Sequence, residues 1–163
     1  MILGLSTPVF TAIHVAISLI AIATGFLLFF GFARGKFLAR LSLIFLITTA
    51  LTSLTGFAFP NSTITPGVAL GILSMFVLII ACVALYVRKL AHAWRGIYIF
   101  NAGLALFFNT FVLVAQTFEH TPGLMAYQKT PVFLAAQIGA LIVVGTLIFF
   151  AMKNYKGTAF PAA

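Results

Sequence analysis

Acidic residues are almost missing from this chain: among 163 residues there is one, Glu119. Nine Lys and Arg raise the charged fraction to only 6%, against about 25% in ordinary globular chains. So few charged side chains cannot cover a water-soluble surface at this length, which excludes a soluble enzyme or a disordered tail. The single cysteine, Cys82, excludes a disulfide framework, a CxxC redox pair and a thiolate metal cage. Gly-rich phosphate loops, catalytic triads and HExxH signatures are absent as well. No loop is long enough to hold a catalytic domain outside the apolar runs. The net charge of +8 does not indicate nucleic-acid binding, because the basic residues sit in short clusters between those runs.

What remains is apolar. Hydrophobic residues make up 63% of the chain. Five runs reach the roughly 20 residues that a helix needs to cross a hydrocarbon core: Val9–Phe32, Leu41–Phe59, Gly67–Val87, Gly96–Phe118 and Pro131–Met152. Barrel strands would be half as long and would alternate in polarity. In hydrocarbon the backbone must satisfy its own hydrogen bonds, so helices are expected. The sequence predicts an all-α polytopic membrane protein, a compact bundle of five transmembrane helices forming one domain over residues 1–163.

The connections give a direction. Arg34, Lys36 and Arg40 follow the first run, Arg88, Lys89 and Arg95 the third, and Lys153 and Lys156 the fifth. With five spans these eight residues share one side, and the opposite loops hold only Lys129. Excess Lys and Arg marks the cytoplasmic face, which predicts an N-terminus outside and a C-terminus inside. Trp94, Tyr86, Tyr98 and Tyr155 fall near the same interface, where amphipathic rings prefer to sit. The first run does not read as a cleaved signal peptide: its charges follow it and its apolar stretch is too long. The expected partners are membrane lipids, with a larger membrane complex or a homo-oligomer as further candidates, and no nucleic acid.

Three runs open with the same dipeptide, Thr7-Pro8, Thr65-Pro66 and Thr130-Pro131. Thr caps a helix by accepting an orphan N–H, and Pro suits the first helical positions. The first and fifth runs share more: Thr7-Pro8-Val9-Phe10 and His14 align with Thr130-Pro131-Val132-Phe133 and Gln137. This match has the form of a short internal repeat. It places His14 and Gln137 at equal depth, about 9 Å below the helix starts.

Intramembrane polar groups are costly and are either paired or functional. His14, Ser18, Thr52, Thr55, Asn109, Gln116 and Gln137 fall mostly in the outer half and form the candidate ligand-binding set. Helix–helix adhesion is the competing reading for the same residues. Asn101 is the chief polar exception in the inner half. His14, Glu119 and His120 have the right ligand types for a metal, provided the loop folds back. Quinone or haem enters as a candidate cofactor, because His14 and the amides could serve a redox group. No Asp, Glu, Lys or Arg lies within a run, which speaks against a proton-coupled pump. The leading expectation is non-enzymatic: an accessory or assembly subunit, or a bundle binding a lipid-like ligand. A redox subunit and a small-solute channel or carrier are the alternatives.

The stretches Thr52-Ser53-Leu54-Thr55-Gly56-Phe57-Ala58-Phe59-Pro60, Gly71-Ile72-Leu73-Ser74, Trp94-Arg95-Gly96-Ile97-Tyr98 and Asn109-Thr110-Phe111-Val112-Leu113-Val114-Ala115-Gln116, together with His14, resemble a group of small uncharacterised bacterial multi-pass inner-membrane proteins. The resemblance covers most of the chain. It implies a bacterial inner (cytoplasmic) membrane location and a compact helical fold, and no particular chemistry. Members often carry a His just after the turn opening the third span. Here that turn reads Thr65-Pro66-Gly67-Val68-Ala69-Leu70, so His14 lacks such a partner.

The topology has a direct test. Cysteines introduced at positions 36 and 91 should react with an impermeant thiol reagent only after the cytoplasmic side is opened. Labelling of intact cells at either position would invert the assignment.

Overall fold

The computed structural model describes residues 1–60 and 65–157. The helices are α1 (Thr7–Ala33), α2 (Ala39–Phe57), α3 (Pro66–Cys82), α4 (Trp94–His120), the single turn α5 (Pro122–Met125) and α6 (Pro131–Asn154). A π-helical turn, Val83–Val87, extends α3. Among the described residues five helices are long and apolar enough to cross a membrane: Thr7–Ala33, Ala39–Phe57, Pro66–Val87, Trp94–His120 and Pro131–Asn154. Each of these boundaries lies within two residues of the expected run, and the π turn and α5 are additions that periodicity did not signal.

Local chemistry explains where the helices start and stop. Thr65 Oγ1 accepts from Val68 N at 3.3 Å and Thr130 Oγ1 from Val132 N at 3.3 Å, as the Thr-Pro pairs predict. The third pair departs from the pattern. Ser6 occupies the cap position of α1, its side chain makes no capping bond, and Thr7 is already helical. The α1 C-terminus closes on Gly35, whose φ of +74° is costly for any residue with a Cβ. Gly35 N bonds to Phe32 O at 2.8 Å and Lys36 N to Gly31 O at 2.9 Å, the paired bonds of a Schellman motif.

Successive spans pack as neighbours, α6 closes the ring against α1, and α4 also packs against α1 and α2. All three basic segments meet at one end. Asn154 Nδ2 donates to Ala33 O at 2.7 Å and Arg95 Nη1 to Lys156 O at 2.7 Å, tying the chain after α6 to both basic loops. The α3–α4 connection is tight enough to force Lys89, Leu90 and His92 into positive φ. Such backbone persists only when the surroundings over-determine it. Fully buried Leu90 provides that anchor, and Arg88 sits 4.9 Å over the Trp94 ring.

The tightest packing lies toward this basic end. Phe32 contacts the rings of Phe29, Phe37, Tyr98 and Tyr155 at centroid distances of 4.9–6.0 Å. The phenol of Tyr98 shares a 2.6 Å hydrogen bond with Ser42 Oγ, and both residues are fully buried. Burial pushes the Tyr155 phenol above its ordinary pKa, an effect opposed by Arg95. Asn101, the inner-half exception, bonds back to Ile97 O at 2.8 Å within its own helix. Large apolar side chains cover the outside of the bundle, with Leu27 54% and Phe76 63% exposed. A surface of this kind fits a multi-pass membrane protein, for which lipid replaces water.

Helix approach in the core depends on small residues. A Cβ at Gly25 would lie 2.7 Å from Leu106 Cδ1 and 2.9 Å from Phe45 Cε2. Both of those side chains are fully buried, so neither can swing aside. Gly25→Ala should therefore lower stability by about 1–3 kcal/mol. Gly145→Ala, with nothing within 4 Å of the new atom, should be neutral or stabilising. Unfolding of both variants in one detergent checks the pair, and equal stabilities would remove this contact from the core.

Candidate functional site

The buried faces of the helices can be followed along their axes. On α1, positions 14, 21, 25, 28 and 32 superpose at helical spacing. Ala21, Leu28 and Phe32 are fully buried, and Gly25 is buried with them. His14 lies on that same stripe, yet it is only half-buried. On α4, Asn109 is buried, while Gln116, seven residues further along the same stripe, is exposed. Accessibility along the α1 stripe is therefore local: His14 is half-buried, while Phe10, one turn nearer the helix start, is buried again.

The expected site residues fall into separate pairs. His14 Nδ1 is 2.7 Å from Thr55 Oγ1 of α2. Thr55 has one hydroxyl proton, and Leu51 O accepts it at 2.7 Å. With that proton on Leu51 O, the Thr55 oxygen accepts from His14 Nδ1–H and the free lone pair is assigned to Nε2. The Phe59 ring meets the imidazole edge-on at 5.3 Å. The Gly56 α-carbon faces it too, since a Cβ there would lie 3.6 Å from His14 Cε1. Ser18 Oγ donates to His14 O at 2.8 Å and Thr52 Oγ1 to Thr48 O at 2.9 Å, both within their own helices. This back-bonding is how hydroxyls are accommodated in apolar helices.

The amides go elsewhere. Asn109 Nδ2 donates to Thr49 Oγ1 at 3.3 Å, a buried bond between α4 and α2. Gln137 Nε2 donates to Phe111 O at 3.2 Å, joining α6 to α4. Its Oε1 is buried and has no partner among the described residues. Gln116 Nε2 reaches Glu119 Oε2 at 3.2 Å on the exposed end of α4. His14 and Thr55 are thus brought into contact, whereas Gln116 lies out on the rim. Among the described residues no group of three or more His, Cys, Asp or Glu is placed to hold a metal. The set of His14, Glu119 and His120 is thus not brought together in this structure. The His14 ring turns inward onto Thr55, whereas exposed His120 donates from Nδ1 to Gln116 O at 3.1 Å along its own helix.

The short repeat in the sequence has a structural counterpart. Phe10 meets Phe59, just past the end of α2, edge-on at 5.2 Å, and Phe133 meets Phe118 of α4 edge-on at 5.4 Å. One helical turn deeper, His14 bonds to α2 and Gln137 bonds to α4. The pairs α1/α2 and α6/α4 therefore repeat one arrangement, an aromatic contact above a polar contact to an antiparallel neighbour. The sequence placed His14 and Gln137 at one depth. It gave no signal for the Phe111 carbonyl as an acceptor, because every helical residue carries one. Thr49 was visible only as one hydroxyl among several in α2.

No family model matches the chain, and neither a curated protein nor a solved structure matches it.

The tautomer assignment is measurable. Nitrogen-15 spectra of labelled imidazole should show His14 protonated on Nδ1. Thr55→Val should erase that preference and cost about 0.5–1.5 kcal/mol, because a half-buried donor loses its acceptor. Protonation on Nε2 in the native protein would reverse the assignment.

Proposed function

We propose that this protein is a non-catalytic bundle of the bacterial inner membrane, N-terminus outside, which holds a lipid-like ligand by its polar head in the outer half. The observation carrying this reading is His14: it lies on a stripe whose deeper members are fully buried, yet remains accessible. An inward-facing imidazole with a free ring nitrogen can hydrogen-bond a head group entering between the helices. Intramembrane ionisable residues are functional-site candidates by default. The orientation is supported by eight basic residues at one end and Lys129 alone elsewhere. The aromatic cluster around Phe32 closes the basic end, which favours a blind pocket over a solute path.

Purification into nanodiscs followed by lipid extraction tests the reading. One lipid-soluble species should be enriched over the bulk lipid, and His14→Leu should lose most of that enrichment while the bundle keeps its helical content. Identical extracts from both proteins would overturn it. A stoichiometric second protein in place of an enriched lipid would instead favour an assembly subunit.

A further inference from the structure

Two acceptors in the outer half are left uncommitted. His14 Nε2 keeps its lone pair because Nδ1–H is spent on Thr55. Gln137 is only 6% exposed, and its Oε1 is buried with no partner among the described residues. Turning the amide over does not help, because Oε1 would then face the Phe111 carbonyl, acceptor against acceptor. A buried acceptor without a donor is costly, and native structures rarely leave one without a reason. What each of these groups can receive is a hydrogen-bond donor.

The placement narrows the donor. His14 and Gln137 each lie six positions beyond the Pro near the start of its helix, so both are about 9 Å deep. Their helices, α1 and α6, run parallel and pack against each other, and both residues lie on stripes that are buried deeper in the bundle. No Asp or Glu lies at that depth on any described span to neutralise an ammonium group, so a cationic donor would be buried unpaired. A neutral hydroxyl has no such cost. Above each polar residue stands an edge-to-face phenylalanine pair, Phe10–Phe59 on one side and Phe118–Phe133 on the other. Phe59 and Phe133, the less buried member of each pair, can meet a third aromatic ring.

We propose that the outer half takes a lipid-soluble phenol or hydroquinone, its hydroxyl donating to Gln137 Oε1. This rests on the ligand-binding reading and specifies its chemistry. A hydroquinone is preferred over the corresponding quinone, whose carbonyls only accept. An alkyl tail would leave between helices toward lipid.

The test compares 4-decylphenol with its methyl ether, 4-decylanisole, each equilibrated with the full chain in phosphatidylcholine nanodiscs and quantified after separation from empty discs. The two probes share ring and tail and differ in the donor. The phenol should be retained at least tenfold more tightly. Gln137→Leu should reduce it to the level of the ether, with helical content and elution unchanged. If Gln137→Leu fails to fold, the comparison in the native protein decides alone. Equal retention of both probes, with both weakened by His14→Leu, would overturn the donor assignment and leave the ligand-binding reading standing. That is also the result expected if Gln137 Oε1 is satisfied by water. Retention of neither probe above empty discs, with no enriched lipid in the native extract, would remove both.

Discussion

Hydrocarbon offers no hydrogen-bond partner, and most of this structure follows from that constraint. Backbone groups are satisfied within long helices. Side-chain hydroxyls are satisfied by the carbonyl one turn back, as at Ser18, Thr24, Thr48, Thr52, Thr55, Thr110 and Thr117. Polar side chains too long for that solution reach a neighbouring helix: His14 to Thr55, Asn109 to Thr49, Gln137 to Phe111, Tyr98 to Ser42. The interhelical polar bonds are few and each has a local partner. Against this background a half-buried imidazole, the Ser74 hydroxyl and the orphaned Gln137 amide oxygen stand out as exceptions.

The two ends of the bundle differ in packing. Toward the basic end, Gly25 lets α1 approach Leu106 and Phe45, and Gly103 leaves room for Ile148. The rings around Phe32 fill the remaining space. Interiors packed in this way are rigid and hold no room for a ligand. Toward the opposite end the stripes carry polar residues, half-buried His14 and exposed Gln116, with Phe10 buried above His14.

Much of the fold was legible because membrane spans are governed by simple counting. Lengths near 20 apolar residues, basic residues in alternate loops and Thr-Pro starts fixed the number of helices and their approximate ends. The candidate site was legible only in part. Helical spacing put His14 and Ser18 on one face, and the repeat put His14 and Gln137 at one depth. The pairing of Asn109 with Thr49, the turning of Gln116 onto Glu119, and the separation of His14 from Glu119 and His120 were not. Each depends on which helix stands beside which and on rotation about its axis. The α3–α4 turn was hidden for a similar reason. Its strained Lys89, Leu90 and His92 follow from how closely two packed helices approach.

The sequence by itself determined five apolar helices, the gathering of basic residues into alternate connections, and the scarcity of ionisable groups within the spans. These are one-dimensional properties, set by composition and spacing along a single chain. Tertiary structure alone decided which acceptors stay free. The proton on His14 is placed by Thr55, 41 positions away in sequence, and the orphaned oxygen of Gln137 arises because its amide nitrogen meets a carbonyl on α4. Hydrogen-bond satisfaction is a three-dimensional inventory: whether a polar side chain is glue or receptor depends on the neighbours that packing brings to it.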